Sequence, residues 1–148
     1  MSSFKIFDTA GSALSAESVR LNTVASNLAN ADTVSSDPGS VYHARHPVFR
    51  AVQQQLQAGL SGMDTAGLDS ASSSTVRVAG IVESQAPALV RYDPGNPLAD
   101  AQGNVYGSNV NVIEEMTDMI SASRSYQDNV EVMNTSKSLM LATLKLGQ

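Results

Sequence analysis

The sequence predicts a mainly α protein with a small β and irregular middle, its N- and C-terminal helices pairing as a coiled-coil-like layer. Three observations lead there. Phe7, Leu14, Leu21 and Leu28 recur every seventh residue near the start, with Ala10, Val24 and Ala31 three places further on. Met119, Tyr126, Met133 and Met140 keep the same interval near the end, beside Met116, Val130 and Leu144. Between them the chain turns to Gly, Pro, Ser and Asn. A seven-residue apolar repeat sets its members on one narrow helical stripe, which partner helices bury better than a broad core does. The expected division is residues 1–34 for the N-terminal helix, 35–108 for a central loop and small β unit, and 109–148 for the C-terminal helix.

The first helix is expected from about Phe4 to Ala31, where Ala, Ser, Leu, Val and Asn follow a helical rhythm and Asp8 or Ser12 offers an N-cap. Glu17 interrupts its stripe where the repeat asks for an apolar residue. The middle is marked by turn chemistry at Asp37-Pro38-Gly39, Asp93-Pro94-Gly95-Asn96-Pro97 and Gln102-Gly103-Asn104. Val76-Arg77-Val78, Ile81-Val82-Glu83 and Ala88 to Tyr92 read as short strands of a small antiparallel unit, and Ala58 to Ser74 as a mobile loop. From Asn109 to Leu146 no Pro or Gly interrupts a helix. Asn109 or Asn111 caps its start, and Glu114 and Glu115 suit the positive end of its dipole. A rod of about 55 Å is too long to bury against so small a middle.

Composition narrows the function. Aromatic residues make up 5% of the 148 and Trp is absent, so large core anchors are scarce. The formal charge of −5 is spread along the chain, with no basic cluster for nucleic acid. Without Cys there is no disulfide framework, thiolate metal site or Cys nucleophile. The first twenty residues hold a single Lys and no apolar h-region, unlike a cleaved secretory signal, and no run is apolar enough to span a membrane. The thin seams predict that both ends are largely disordered in the dilute monomer and become helical on assembly.

Chemistry-bearing motifs are few. His43 and His46 stand three apart, and with a carboxylate from the middle they suggest a small metal-dependent hydrolase. Against it, Pro47 pushes His46 out of helical angles, which favours solvated or interface histidines. No Ser sits in a Gly-x-Ser-x-Gly elbow. Glu114, Glu115 and Asp118 read as a solvated first turn, with a carboxylate cluster as the alternative. Amides at Asn22, Asn27 and Asn30 near a seam either cap the helix end or fix register between packed helices. Frequent Met in the second stripe suits a helix with non-identical neighbours, and equally an ordinary core. No cofactor is implied.

The run from Ser12 to Asn22 leading into Ala25-Ser26-Asn27-Leu28-Ala29-Asn30-Ala31-Asp32-Thr33 resembles the N-terminal signature of the bacterial flagellar rod, hook and hook-associated axial proteins. Ser121 to Gln127, then Asn129 to Thr135 and Leu146-Gly147-Gln148, resemble the matching C-terminal signature. Tyr92 to Asp100 and Asn109-Val110-Asn111-Val112 are similar to the proximal rod proteins of the C type, and Gly59 to Ser74 matches least. The resemblance implies a structural, non-enzymatic subunit of the basal-body rod. Its terminal helices would form the inner layer of a helical tubular assembly crossing the periplasm. It implies export through the flagellar type III apparatus without a cleaved signal, and contacts with other rod proteins and with copies of itself. The candidate assembly residues are Leu14, Leu21, Asn27, Leu28 and Asn30 at one end, and Met116, Met119, Tyr126, Val130, Met133 and Met140 at the other. A secreted coiled-coil adaptor outside the flagellum is a further alternative.

Overall fold

The computed structural model describes residues 3–54 and 73–146. Its two long elements are α1 (Ser3–Ala29) and α2 (Val112–Leu146), of 27 and 35 residues. At about 1.5 Å per residue they run about 40 and 52 Å. The helices pack antiparallel, because Arg20 of α1 meets Asp118 of α2 at 2.9 Å while Asn27, further along α1, meets the earlier Glu115. On that register the first turn of α1 lies level with the stretch of α2 near Thr135 to Leu139, so the final turns of α2 run past its partner.

Asn111 caps α2: its side-chain oxygen accepts from the Ile113 amide at 3.2 Å, and its carbonyl accepts from the Glu115 amide. At the end of α1 the Asn30 amide donates to the Ser26 carbonyl, and so does its side chain, at 2.8 Å. Asp8 and Ser12 do not start α1 as expected but lie inside it. The helix begins upstream of both, Ala10 between them is buried, and the Ser12 hydroxyl donates to the Thr9 carbonyl instead of accepting from an orphan amide of a first turn.

The middle forms two antiparallel units. In the first, β2 (Arg45–Gln54) pairs with β3 (Ser73–Glu83) in a ribbon that lies against α1, where the Val76 amide donates to the Ser12 hydroxyl. The register steps from Val48↔Gly80 to Phe49↔Val78, leaving Ala79 as an extra residue that bends the ribbon. In the second, β1 (Val34–Ser35), β5 (Asn104–Gly107) and β4 (Leu89–Tyr92) form a sheet in the order β1-β5-β4. It sits where α1 ends and α2 begins. β3 and β4 cover the expected strands, whereas β1, β2 and β5 were not anticipated. The expected loop from Ala58 to Ser74 lies outside the described residues except at its last two positions.

The turn between β4 and β5 is fixed by its own sequence. Asp100 accepts from the amides of Gln102 and Asn104 and from the Tyr106 hydroxyl, and these bonds hold its carboxyl below the usual range. Gly103 takes φ +81°, and a Cβ there would lie 2.9 Å from the Tyr92 ring, so both conformation and space require glycine.

The buried apolar residues are Ala10, Ala16, Val24, Val41, Ala44, Val105, Val110 and Ala122. None is larger than Val. Among the described residues the largest side chains fully removed from solvent are Val105, Asn27 and Ser108. A polar amide therefore ranks among the bulkiest fully buried groups, and close helix approach at Ala122 substitutes for large interlocking side chains.

Candidate assembly surface and the junction that orients it

Asn27 is wholly buried and uses its entire hydrogen-bonding capacity. Its amide nitrogen donates to the Arg45 carbonyl and to Glu115 Oε1, both at 2.8 Å. Its oxygen accepts from the Arg45 amide and the Tyr42 hydroxyl, both at 2.9 Å. The side chain thus pairs with the peptide groups of Arg45 as a neighbouring strand would, while fastening α2 to the same point. Tyr42 is steadied by Ser26 and by the Arg45 guanidinium over its ring, and Arg45 in turn makes two bonds to Glu83.

Asn109 forms a second clamp. Its oxygen accepts from the Ala44 amide at 2.7 Å, and its nitrogen donates to the Ala86 carbonyl at 2.8 Å and meets His43 Nδ1 at 3.1 Å. The segment Tyr42-His43-Ala44-Arg45 is held between an amide from α1 and an amide just ahead of α2. Helices and middle are therefore joined by directed bonds, which set an angle as well as a contact.

Glu115 corrects the expectation of a solvated first turn. Glu114 is exposed, but Glu115 is only 3% exposed, and its Oε2 has no partner among the described residues. Burial raises its pKa, against the opposing effects of the Asn27 bond and nearby His46; Asp118 and Glu114 add to the rise. Glu17, where the first stripe breaks, likewise hides Oε2 without a partner.

The face that α2 turns to α1 is mostly small or polar, with Met the only large apolar type on it. Its least exposed positions are Glu115, Asp118, Met119, Ala122, Ser125, Asn129, Met133, Ser136 and Met140. The heptad of Met119, Tyr126, Met133 and Met140 follows one edge of this face, because a straight helix drifts about 20° per seven residues. Met119, Met133 and Met140 are half-buried and Tyr126 is exposed, while Met116 and Val130 stand outside the contact. On α1, which packs against both α2 and the ribbon, Leu14, Leu21 and Leu28 are half-buried, as is Asn30 just past its end. Ile113, Met116, Ile120, Val132, Leu139, Leu141 and Leu144 are exposed, distributed over both flanks and the outer side of α2. Ile113 retains 78% of its surface. So much apolar area around one helix describes a surface to be covered from several directions.

His43 and His46 do not form a metal centre with a carboxylate: among the described residues no group of three or more His, Cys, Asp or Glu stands together. His46 lies in β2 opposite Val82, and His43 is engaged by Asn109. No described helix is long and apolar enough to cross a membrane.

The two long terminal helices pack on each other, leave apolar side chains exposed along α2, and are fixed to a small β middle. Residues 7–34 match the family described as flagella basal body rod protein, and residues 101–146 match that described as flagellar basal body rod FlgEFG protein C-terminal. The chain is 53% identical, over the full length of both proteins, to the flagellar basal-body rod proteins FlgC of Salmonella typhimurium and Yersinia enterocolitica. It is 39% identical over the full length of FlgC from Buchnera aphidicola subsp. Acyrthosiphon pisum. The chain belongs to the FlgC family of flagellar basal-body rod proteins.

Proposed function

We propose that the chain is a structural subunit of the bacterial flagellar basal-body rod, assembling through its terminal helices into the drive shaft that transmits torque for motility. The exposed apolar flanks of α2, running past the end of α1, carry this reading. Nothing in the site supports the hydrolase or the adaptor outside the flagellum.

In the rod the two helices form the inner tubular layer, and the middle faces outward. Residues 1–34, 35–108 and 109–148 are its three working parts. Leu14, Leu21, Leu28, Met116, Met119, Tyr126, Val130, Met133 and Met140 meet neighbouring subunits, including copies of this chain and other rod proteins. Asn27 and Asn30 set register at the end of α1. Many parallel seams share the load, so no single contact carries the torque, and the two asparagine clamps pass force between the helical layer and the middle. The subunit reaches its place across the periplasm through the type III export apparatus without a cleaved signal. A helical pair with little core of its own suits passage as an unfolded chain.

Complementation of a motile strain lacking its own copy tests the assignment. Leu21→Asp or Met133→Asp should abolish rod assembly and swimming, because each places an unpaired charge in a seam that excludes water. His46→Ala should swim normally. Normal swimming by both charge variants would overturn the seam assignment.

A further inference from the structure

Arg50 of β2 and Arg77 of β3 are direct partners across the ribbon, so both side chains leave the same face a few ångströms apart. Both are exposed, and neither has an ion-pair partner among the described residues. Like charges placed opposite each other destabilise a strand pair unless an anion covers them. On α2, Asp128 and Glu131 stand one turn apart, exposed and without an ion-pair partner among the described residues, beside a shallow groove completed by Val132 and Thr135. By helical spacing they point away from α1.

The two pairs match in spacing: residues three apart on a helix hold their Cβ atoms about 5–6 Å apart, and directly opposed strand residues about 4.5–5.5 Å. They also match in height. The Arg77 neighbour Val76 is bonded to Ser12 of α1, and the antiparallel register set by Arg20–Asp118 and Asn27–Glu115 places Ser12 level with the stretch of α2 near Asp128. Within one molecule the ribbon packs on α1, and among the described residues its backbone makes no close approach to α2.

We propose that the Arg50–Arg77 pair of one subunit docks onto Asp128 and Glu131 of a second copy standing beside it. The contact is heterologous, joining two different surfaces, so it propagates around a ring or helix instead of closing a dimer. Two charge pairs of matched spacing fix the lateral register and reject misaligned neighbours more than they add affinity. This rests on the reading of the chain as a self-contacting rod subunit.

Because the chain has no Cys, a designed pair reports the contact without background. Basal bodies would be isolated from motile cells carrying Arg77→Cys together with Glu131→Cys, oxidised, and run on a non-reducing gel. The inference predicts cross-linked dimers and higher multimers, absent from either single variant. Assembled rods with no more cross-linking than the single variants would overturn the docking while leaving the rod assignment standing; failure of the unsubstituted chain to enter rods would overturn the assignment itself. In parallel, Arg50→Glu with Arg77→Glu should lower the yield of rods at least tenfold, and adding Asp128→Lys with Glu131→Lys should restore at least half. Undiminished yield after the first pair of changes, or no recovery with all four, contradicts the proposal.

Discussion

Asn27 shows how much one residue can organise when all its bonds are made. Asn27→Ala would remove the partner of the Arg45 peptide groups, the Tyr42 hydroxyl and the buried Glu115 carboxylate in a partly buried junction, at a cost of about 1–3 kcal/mol per subunit. The expected readout is a lower guanidinium midpoint for dissociation of isolated basal bodies. Glu115 makes a prediction of opposite character. A carboxyl whose pKa is raised by burial binds its proton more tightly when folded than when unfolded, so its influence favours the folded state most below the ordinary value of 4.5 and fades as pH rises through the raised one. Glu115→Gln should remove that part of the pH dependence, and dissociation midpoints measured from pH 4 to 8 check it. Asn27 was legible as an amide beside an apolar stripe. Asn109 was read only as a cap, because its partners His43, Ala44 and Ala86 are distant in sequence. Glu114 and Glu115 look alike to any propensity scale, and only the contact with Asn27 separates them.

At the scale of elements, both helices were readable because periodicity and the absence of breakers are local properties. β2 was not, since Pro47 interrupts it and Gln53 and Gln54 blur its alternation; partnership with β3 over ten residue pairs defines it. β1 and β5 are too short to have a pattern of their own, and exist through pairing with each other and with β4. The heptad in α2 was correctly placed on a helix, yet the residues most buried against α1 are Ala122, Glu115 and their small or polar companions. That face brings the backbones close at Ala122, and most of the larger aliphatic groups of α2 stay exposed. Ala122→Leu should therefore push the helices apart and cost about 1–3 kcal/mol, whereas Ser121→Leu, exposed on the adjacent side, should not. Rod yield and the dissociation midpoint of each variant distinguish the two sites.

For the whole molecule, the core is made of Ala and Val while Ile and Leu side chains and Met116 line the outside of the longest helix. Such a distribution inverts that of a self-sufficient globule, in which large apolar side chains are the first to be enclosed. It fits a subunit that leaves its most hydrophobic surface for its neighbours and takes its order from them, with helix formation coupled to assembly. Hydrogen exchange on the dilute, full-length chain tests this most directly. The account predicts that amides throughout α1 and α2 exchange nearly as fast as in an unfolded chain and become protected by orders of magnitude in isolated basal bodies. Strong protection of both helices in the dilute monomer would contradict it.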